Sequence, residues 1–395
     1  MESKTFCIYP WIHMYVNPDG GVLPCCVGHH HSHLGNVREK SVEEIWNDEP
    51  YKLMRKNMIN GIQCKECVGC YKMEQSGVES VRQSKNKVYQ EFVSLVDKTN
   101  PDGSLPTMDL KHFDVRWSNI CNFKCRSCSS TYSSTWAQED NTQGKTKPVY
   151  ILAGGNDNDH LYNQFKPYLK GIKTFYFAGG EPLLTDKHYE ILEHLIETGN
   201  TDVEIEYNTN LSNLVYKGKS VIDLWNKFSK VKVGASFDSW GDRAEYIREG
   251  TEWSKVVNNI IEIRHQAPHV ELNTGSVISV FNISTIPEFL HYMIDSELMM
   301  NGYYPHFYNI INPDFYSVSV LPESVKEQIV NKLEKNSSSF NNHINKEIKK
   351  VISYLENSKY DKALHEQFLS VTEYYDSIRN RKFAETFPEL LELLQ

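Results

Sequence analysis

Between residues 113 and 310, short apolar runs alternate with longer amphipathic stretches. Runs of four to eight apolar and β-branched residues bounded by turn residues predict buried strands. The predicted strands are Phe113–Trp117, Thr174–Ala178, Val203–Tyr207, Val231–Phe237 and Glu271–Val280. The stretches near 186–199, 218–229, 242–266 and 284–297 have a helical period. Because each parallel strand needs a crossover connection, this alternation predicts a parallel sheet with helices on both faces.

The regions on either side of this core have different patterns. Turn residues 17–21 separate two apolar segments and predict a hairpin, and Ser41 with Glu44 has the spacing of a helix capping box. Residues 320–395 predict helices, with starts at Pro322 and Asn341. We therefore predict an N-terminal domain over 1–95, a linker over 96–112, an α/β core over 113–310 and a helical C-terminal region over 311–395.

Length and charge exclude several classes of protein. The chain has 395 residues, enough for about two to three domains or one α/β barrel with attachments. No apolar run reaches the roughly 18 residues of a membrane helix, and no signal peptide is readable, so we expect a cytoplasmic protein without a membrane partner. The net charge of −9 argues against a nucleic-acid partner, since phosphate backbones attract basic surfaces.

The cysteines point to metal chemistry. All nine lie between Cys7 and Cys128. Disulfides are not expected in a reducing compartment. Thiols at short fixed spacings in one third of a chain instead indicate metal ligation.

The first cysteine motif follows a predicted strand. Cys121, Cys125 and Cys128 have the spacing C-x3-C-x2-C, and three thiolates on one loop suit a cubane cluster with one iron left open. A zinc site completed by a distant residue is the alternative. The next predicted strand ends in Gly179-Gly180-Glu181, where glycine lets the backbone approach a ligand closely.

Together these two motifs resemble the radical S-adenosylmethionine (SAM) superfamily. The resemblance implies a partial (βα)6 TIM-type barrel and a [4Fe-4S] cluster whose fourth iron binds the amino and carboxylate groups of SAM. The implied cluster ligands are Cys121, Cys125 and Cys128, and the implied contacts to methionine are Gly179, Gly180 and Glu181.

Later strand ends resemble the family more loosely. The implied further SAM contacts are Asn208, Ser236, Arg248 and Val277, with Arg248 near the SAM carboxylate. The family's adenine-side motif keeps its spacing here but has Ser279 and Asn282 in place of a glycine and a glutamate. Barrel packing or helix capping is the alternative for each of these residues.

The remaining cysteines lie before the core. Cys7 and Cys25 flank the predicted hairpin, and Cys64, Cys67 and Cys70 follow a predicted helix with spacing C-x2-C-x2-C. This arrangement resembles the twitch domain, a shorter relative of the SPASM domain, which carries an auxiliary [4Fe-4S] cluster. It implies Cys7, Cys25, Cys64 and Cys67 as ligands, with Cys70 able to replace one of the last pair. A structural zinc site is the alternative.

The resemblance implies an enzyme that cleaves SAM reductively to a 5′-deoxyadenosyl radical and takes hydrogen from a C–H bond. It further implies a low-potential electron donor such as a flavodoxin or ferredoxin, and a peptide, protein side chain or small molecule as substrate. The auxiliary cluster would accept an electron, bind substrate or only stabilise its domain. The alternative class is a non-catalytic iron–sulfur or zinc protein that binds SAM as a sensor or scaffold. We assign no catalytic acid or base.

Overall fold

The computed structural model describes residues 4–28, 33–75, 79–143, 151, 153–155, 157–298, 305–310 and 312–394. The chain divides into two compact units. The first unit comprises Met1–Ile120, Asn141–Tyr207 and Asn226–Val231. The second comprises Cys121–Asp140, Asn208–Trp225 and Lys232–Gln395.

The strands are β1 His13–Val16, β2 Gly21–Leu23, β3 Gly35–Asn36, β4 His112–Val115, β5 Lys124–Cys125, β6 Thr174–Phe177, β7 Glu204–Thr209, β8 Val215–Tyr216, β9 Lys219–Ser220, β10 Lys230–Ala235, β11 Arg248–Glu249, β12 Glu271–Ile278 and β13 Pro305–Asn309. The helices are α1 Tyr9–Ile12, α2 Val42–Trp46, α3 Glu49–Ile59, α4 Val68–Gln75, α5 Val81–Val88, α6 Ser134–Thr142, α7 Asn158–Phe165, α8 Asp186–Glu197, α9 Val221–Trp225, α10 Gly241–Ile247, α11 Trp253–Gln266, α12 Ile286–Asp295, α13 Glu323–Ser337, α14 Asn342–Asn357, α15 Lys362–Arg379, α16 Phe383–Thr386 and α17 Pro388–Leu394.

A mixed sheet organises the first unit, with strand order β7-β6-β4-β1-β2-β3. Strands β7, β6, β4 and β1 are parallel to one another, and β1, β2 and β3 form an antiparallel meander. The predicted hairpin is present, with Tyr15 opposite Leu23. The capping box of Ser41 and Glu44 is present as well. The N-terminal region thus adds strands β1 to β3 to the sheet that contains β4, β6 and β7.

The two faces of this sheet differ in chemistry, because successive side chains along a strand point to opposite faces. The ring centroid of Phe113 on β4 lies 5.4 Å from that of Phe175 on β6. It lies 5.3 Å from that of Phe165 on α7, which it meets edge-on. The opposite face of β4 carries His112 and Asp114. The helices therefore cover an apolar face, and the other face is left polar.

The segment predicted as a linker, 96–112, packs closely in this unit. The indole N–H of Trp11 donates to Thr99 at 2.9 Å, and Asn47 exchanges two hydrogen bonds with the backbone of Leu105. Gly103 has φ +90°, and a Cβ there would lie 2.3 Å from the carbonyl oxygen of Lys52. These hydrogen bonds therefore fix the segment, although its composition is typical of a flexible linker.

In the second unit, β10, β12 and β13 are parallel neighbours. The pattern over 242–266 predicts one helix, but the structure has α10 and α11 separated by β11, and Gly250 in between has φ +108°. Strand β11 pairs with β5 so that Arg248 faces Cys125. Helices α13 to α17 form the predicted helical C-terminal region. No helix in the described ranges is long and apolar enough to cross a membrane.

Candidate functional site

Local hydrogen bonds hold the loop that carries Cys121, Cys125 and Cys128. The backbone N–H of Cys128 donates to the carbonyl of Cys125 at 3.0 Å, which closes a tight turn between the two cysteines. The backbone N–H of Cys121 donates to Ser134 at 3.2 Å. Cys125 is buried and the other two cysteines are half-buried. The loop thus presents three thiols from a fixed backbone.

Two side chains that the sequence did not single out fix the middle of this loop. The amide of Asn122 donates to Ser212 at 2.9 Å and accepts from Asn210 at 3.0 Å. Asn210 follows the end of β7, so this network ties the cysteine loop to a strand end within the second unit.

Arg248 lies beside the cysteine loop. Its guanidinium donates to Asp238 at 2.9 Å, and a second nitrogen lies 3.9 Å from Sγ of Cys125. Asp238 is buried and also accepts from the backbone N–H of Val277 at 2.7 Å. The arginine that the family resemblance places near the SAM carboxylate is therefore held by a carboxylate and directed at a cluster thiol.

Two thiols of this loop, those of Cys125 and Cys128, have raised pKa values. Burial raises the pKa of Cys125, although nearby Arg248 opposes the shift. Burial and then Cys125 raise the pKa of Cys128 to about 12. Metal binding must therefore displace protons, since only thiolates are ligands. Burial stabilises the neutral form of these two thiols, so a metal that binds them must offset the cost of forming buried thiolates.

The glycines of the Gly179-Gly180-Glu181 turn allow close backbone packing. A Cβ at Gly180 would lie 2.1 Å from the carbonyl oxygen of Ile120, and the N–H of Glu181 donates to that oxygen at 2.6 Å. Gly179 has φ +119°, which favours glycine. Ile120 immediately precedes Cys121 in the chain, so the turn packs on the residue that leads into the cysteine loop.

Glu181 is a buried carboxylate, with 2% of its surface exposed. Its Oε1 accepts from the backbone N–H of Leu183 at 3.1 Å and caps the short 3-10 turn Pro182–Leu184. A carboxylate at the start of a turn beside two glycines can accept hydrogen bonds from an ammonium group.

The remaining expected SAM contacts lie at strand ends of the second unit. Asn208 is exposed near the end of β7, and Ser236 is half-buried directly after β10. Val277 is half-buried on β12. Asn282 bonds the N–H of Ser279 and the carbonyls of Val277 and Asp238. Asn282, which stands where the family motif has a glutamate, therefore holds the backbone after β12 in place.

A second group of cysteines lines a small cavity in the first unit. The lining cysteines are Cys7, Cys25, Cys67 and Cys70. Cys64 is absent from the lining, and its thiol lies 3.7 Å from the carbonyl of Met54. No group of three Cys, His, Asp or Glu side chains among the described residues is close enough to hold a single metal ion. Four thiols around one cavity are the donor set of a cubane cluster.

Burial raises the pKa of three of the thiols that line this cavity, those of Cys7, Cys25 and Cys67. Burial raises the pKa of Cys7 to about 12, with Cys70 and Cys64 adding to the shift. Burial also raises the pKa of Cys67, and of the other thiols Cys7 adds most to this shift. Arg82 lines the cavity and forms a buried ion pair with Glu74 at 2.5 Å. The sequence analysis did not single out this arginine, which partly opposes the rise in the pKa of Cys7 that burial causes.

The C-terminal helices brace the first cysteine loop through arginines. Arg126 lies between Cys125 and Cys128, is 1% exposed, and pairs with Asp376 of α15 at 2.8 Å. Arg379, at the end of α15, pairs with Glu139 at 2.8 Å and donates to the carbonyl of Lys124. Ion pairs between residues about 250 positions apart leave no local pattern, and the sequence analysis missed them.

The Arg126–Asp376 pair leads to a prediction. Asp376→Ala leaves a buried guanidinium without its partner, so we expect the free energy of unfolding to fall by about 3 kcal/mol. We also expect iron bound to the Cys121 loop to be lost faster in air. Urea unfolding and timed iron assays test this. Glu366→Ala, on the same helix, breaks an ion pair whose side chains are 79% and 67% exposed. Equal effects of Asp376→Ala and Glu366→Ala would contradict a stabilising role for the Arg126–Asp376 ion pair.

Two family models match parts of this chain. A family model described as the radical SAM superfamily matches residues 115–293, and an iron–sulfur cluster-binding domain named SPASM matches residues 7–71. No curated protein sequence matches the chain.

Several solved structures are similar to the chain. Native anSMEcpe with bound AdoMet has a TM-score of 0.42 and 19% identity, over 58% of this chain and 61% of that chain. The anSMEcpe complex with AdoMet and the Cp18Cys peptide has a TM-score of 0.41 and 19% identity, over 58% and 60%. TYW1 with a lysine–pyruvate adduct has a TM-score of 0.33 and 11% identity, over 57% and 71%. The chain spans about three fifths of the length of the anSMEcpe chains.

The two family models, together with the strands and helices of the structure, confirm the predicted α/β fold class, with a partial radical SAM barrel and a helical C-terminal region. They also confirm the predicted cofactors, a [4Fe-4S] cluster with SAM and an auxiliary iron–sulfur cluster. The chain therefore contains a radical SAM domain over residues 115–293, preceded by a SPASM-like iron–sulfur cluster-binding domain over residues 7–71.

Proposed function

We propose that this enzyme removes a hydrogen atom from a C–H bond of a peptide or small molecule and thereby oxidises or modifies it. When bound, the reduced [4Fe-4S] cluster supplies the electron that cleaves SAM to methionine and the 5′-deoxyadenosyl radical that takes the hydrogen atom. A flavodoxin or ferredoxin is the proposed reductant. One observation carries the proposal: Glu181 donates its N–H to Ile120, which leads into Cys121.

The cysteine loop holds its cluster through Cys121, Cys125 and Cys128. Asn122 and Arg126 keep the loop in place through their bonds to Ser212 and Asp376. Arg248, held by Asp238, places positive charge beside Cys125. Positive charge and N–H donors near the sulfurs stabilise the more reduced, more negative state of a cluster.

The Gly179-Gly180-Glu181 turn orients SAM. Its glycines let backbone groups approach the ligand, and the Glu181 carboxylate accepts from the methionine ammonium. Asn208, Ser236 and Val277 are proposed as further contacts from the strand ends of the second unit.

The auxiliary cluster is proposed to bind Cys7, Cys25, Cys67 and Cys70. The cavity that these thiols line supports this set, and the hydrogen bond of Cys64 to Met54 leaves that thiol out of it. Arg82 lines the same cavity, and its positive charge favours the thiolate form of Cys7.

The proposal is tested by anaerobic incubation of the reconstituted enzyme with SAM, dithionite and host extract. Mass spectrometry then follows 5′-deoxyadenosine and a mass change in one component of the extract. We expect both to appear in wild type. Iron-loaded protein that binds SAM but releases no 5′-deoxyadenosine would contradict the proposal and favour the sensor or scaffold alternative.

Glu181 gives the sharpest prediction on SAM. A charge-assisted hydrogen bond to an ammonium is worth about 1.5–3 kcal/mol, so Glu181→Gln is expected to weaken SAM binding at least about tenfold. Glutamine keeps an acceptor for the Leu183 N–H, so the turn and the iron content should stay near wild type. Equilibrium dialysis with SAM measures the change, and exposed Glu197→Gln is the control. Unchanged affinity would leave Glu181 a capping residue only.

A further inference from the structure

The short ribbon of β5 and β11 carries Cys125 on one strand and Arg248 directly opposite on the other. Each strand has two residues, so few hydrogen bonds within the ribbon hold its strands together. Even a full two-stranded hairpin is only marginally stable by itself in water. The distance between the Arg248 guanidinium and the Cys125 sulfur therefore depends on contacts from outside the ribbon.

The C-terminal end of α15 holds the first strand of this ribbon. Arg379 donates to the backbone carbonyl of Lys124 on β5 at 3.2 Å. Its other nitrogens donate to both carboxylate oxygens of Glu139 at 2.8 and 3.3 Å, and Glu139 also pairs with the Lys124 ammonium at 2.6 Å. The Arg379 side chain is 1% exposed. Both the backbone and the side chain of Lys124 are thus tied to one buried guanidinium.

Arg381 holds the second strand. Its Nε and Nη2 donate to the two carboxylate oxygens of Glu249 on β11, at 2.9 and 3.4 Å. Two parallel hydrogen bonds to one carboxylate fix its direction as well as its distance. Glu249 is the register partner of Lys124, so Arg379 and Arg381 act on opposite residues of the same ribbon.

Asn380 lets these two arginines reach different strands. It ends α15 with φ 50° and ψ 47°, the left-handed conformation that commonly terminates a helix. The backbone N–H groups of Asn380 and Arg381 both return to the carbonyl of Asp376, the latter at 3.0 Å. The turn is therefore held by its own hydrogen bonds, and its two arginines grip both strands from a fixed backbone.

We infer that Arg381 is a positioning residue for the cluster: through Glu249 it holds β11 against β5 and so keeps Arg248 beside the sulfur of Cys125, 3.9 Å away. Asp238 holds the guanidinium of Arg248, and Arg381 holds the strand from which that side chain extends. This inference rests on the proposed function, because it requires Cys125 to bind the cluster that cleaves SAM.

The expected consequence is a change in reduction potential. Charge and hydrogen bonds at the sulfurs set the potential of a cluster. Positive charge beside Cys125 favours the more negative, reduced state, so a looser β11 should make this cluster harder to reduce. An ion pair with side chains 32% and 20% exposed adds little to stability, so variants of Arg381 and Glu249 should fold and keep their iron.

The test is an anaerobic redox titration of reconstituted holoenzyme, followed by electron paramagnetic resonance. The signal that changes when SAM is added reports the cluster with an open iron. For Arg381→Ala we expect the ratio of reduced to oxidised cluster at a fixed potential to fall about tenfold, which is about 59 mV for a one-electron couple. Lys382→Ala is the matched control, since Lys382 is the next residue and pairs with Glu385 through side chains that are 71% and 69% exposed.

Glu249→Gln separates positioning from simple charge. Removing a negative charge would by itself make the cluster easier to reduce, whereas releasing β11 makes it harder. We therefore expect the midpoint of Glu249→Gln to fall, as in Arg381→Ala. A rise in Glu249→Gln, or equal midpoints in Arg381→Ala and Lys382→Ala, would overturn the inference.

The two proposals fail in different ways. Wild-type potentials in both ribbon variants, with normal release of 5′-deoxyadenosine, would overturn the positioning role of Arg381 alone. Lower midpoints in both variants, in a wild-type background that binds SAM but releases no 5′-deoxyadenosine, would contradict the proposed function and support the positioning role.

Discussion

Replacing Cys121, Cys125 and Cys128 together with alanine is expected to remove about half of the iron and to abolish SAM cleavage. Two cubanes carry about eight irons per chain, and this loop is proposed to hold one of them. The thiols are the donors that the loop presents, and three substitutions remove every cysteine ligand of that cluster. Iron assays and chromatography for 5′-deoxyadenosine after anaerobic reconstitution measure both effects.

The control for this variant is Cys26→Ala, since Cys26 is exposed and outside the thiol-lined cavity. It should keep its full iron content and continue to cleave SAM. Protein that contains only zinc after anaerobic reconstitution would contradict the cluster assignment. A triple variant that still releases 5′-deoxyadenosine would show that SAM cleavage uses other ligands.

Patterns within a few residues predicted much of the fold. Strand β6 and the hairpin of β1 and β2 follow from apolar alternation and turn residues, and both are observed. The pairing of β5 with β11 was not predictable, because two-residue strands have no readable period. The long helix α15 was expected only as part of a helical region, since its N-cap at Asp361 has no capping-box partner.

The same limit applies to the candidate site, where local motifs were predictable and contacts between distant segments were not. The cysteine spacing and the resemblance to a family predicted that the cysteine loop and the Gly179 turn serve one chemistry. The sequence could not predict the roles of Asp376 and Arg379, because their ion-pair partners come from distant segments of the chain. It also could not choose between Cys64 and Cys70, since both flank Cys67 at the same spacing. That choice depends on which thiol faces the cavity.

We expect Cys70→Ala to lose about four irons and Cys64→Ala to keep them. Cys70 lines the cavity with Cys7, whereas Cys64 is buried against the Met54 carbonyl. A metal that joins ligands from separate chain segments closes large loops, so losing it should also loosen the N-terminal region. Iron content, and proteolysis within residues 1–95, measure the two effects.

The same pair of variants separates the roles open to the auxiliary cluster. If that cluster accepts an electron from the substrate, Cys70→Ala will still release 5′-deoxyadenosine but form little product, while Cys64→Ala will match wild type in both. Equal product from both variants, with iron lost only in Cys70→Ala, would leave the cluster a structural role. Iron lost in Cys64→Ala but kept in Cys70→Ala would mean that the ligand set is the one implied by the twitch resemblance. The thiols around the cavity would then have to rearrange when the cluster binds, because Cys64 would have to exchange its bond to Met54 for a bond to iron.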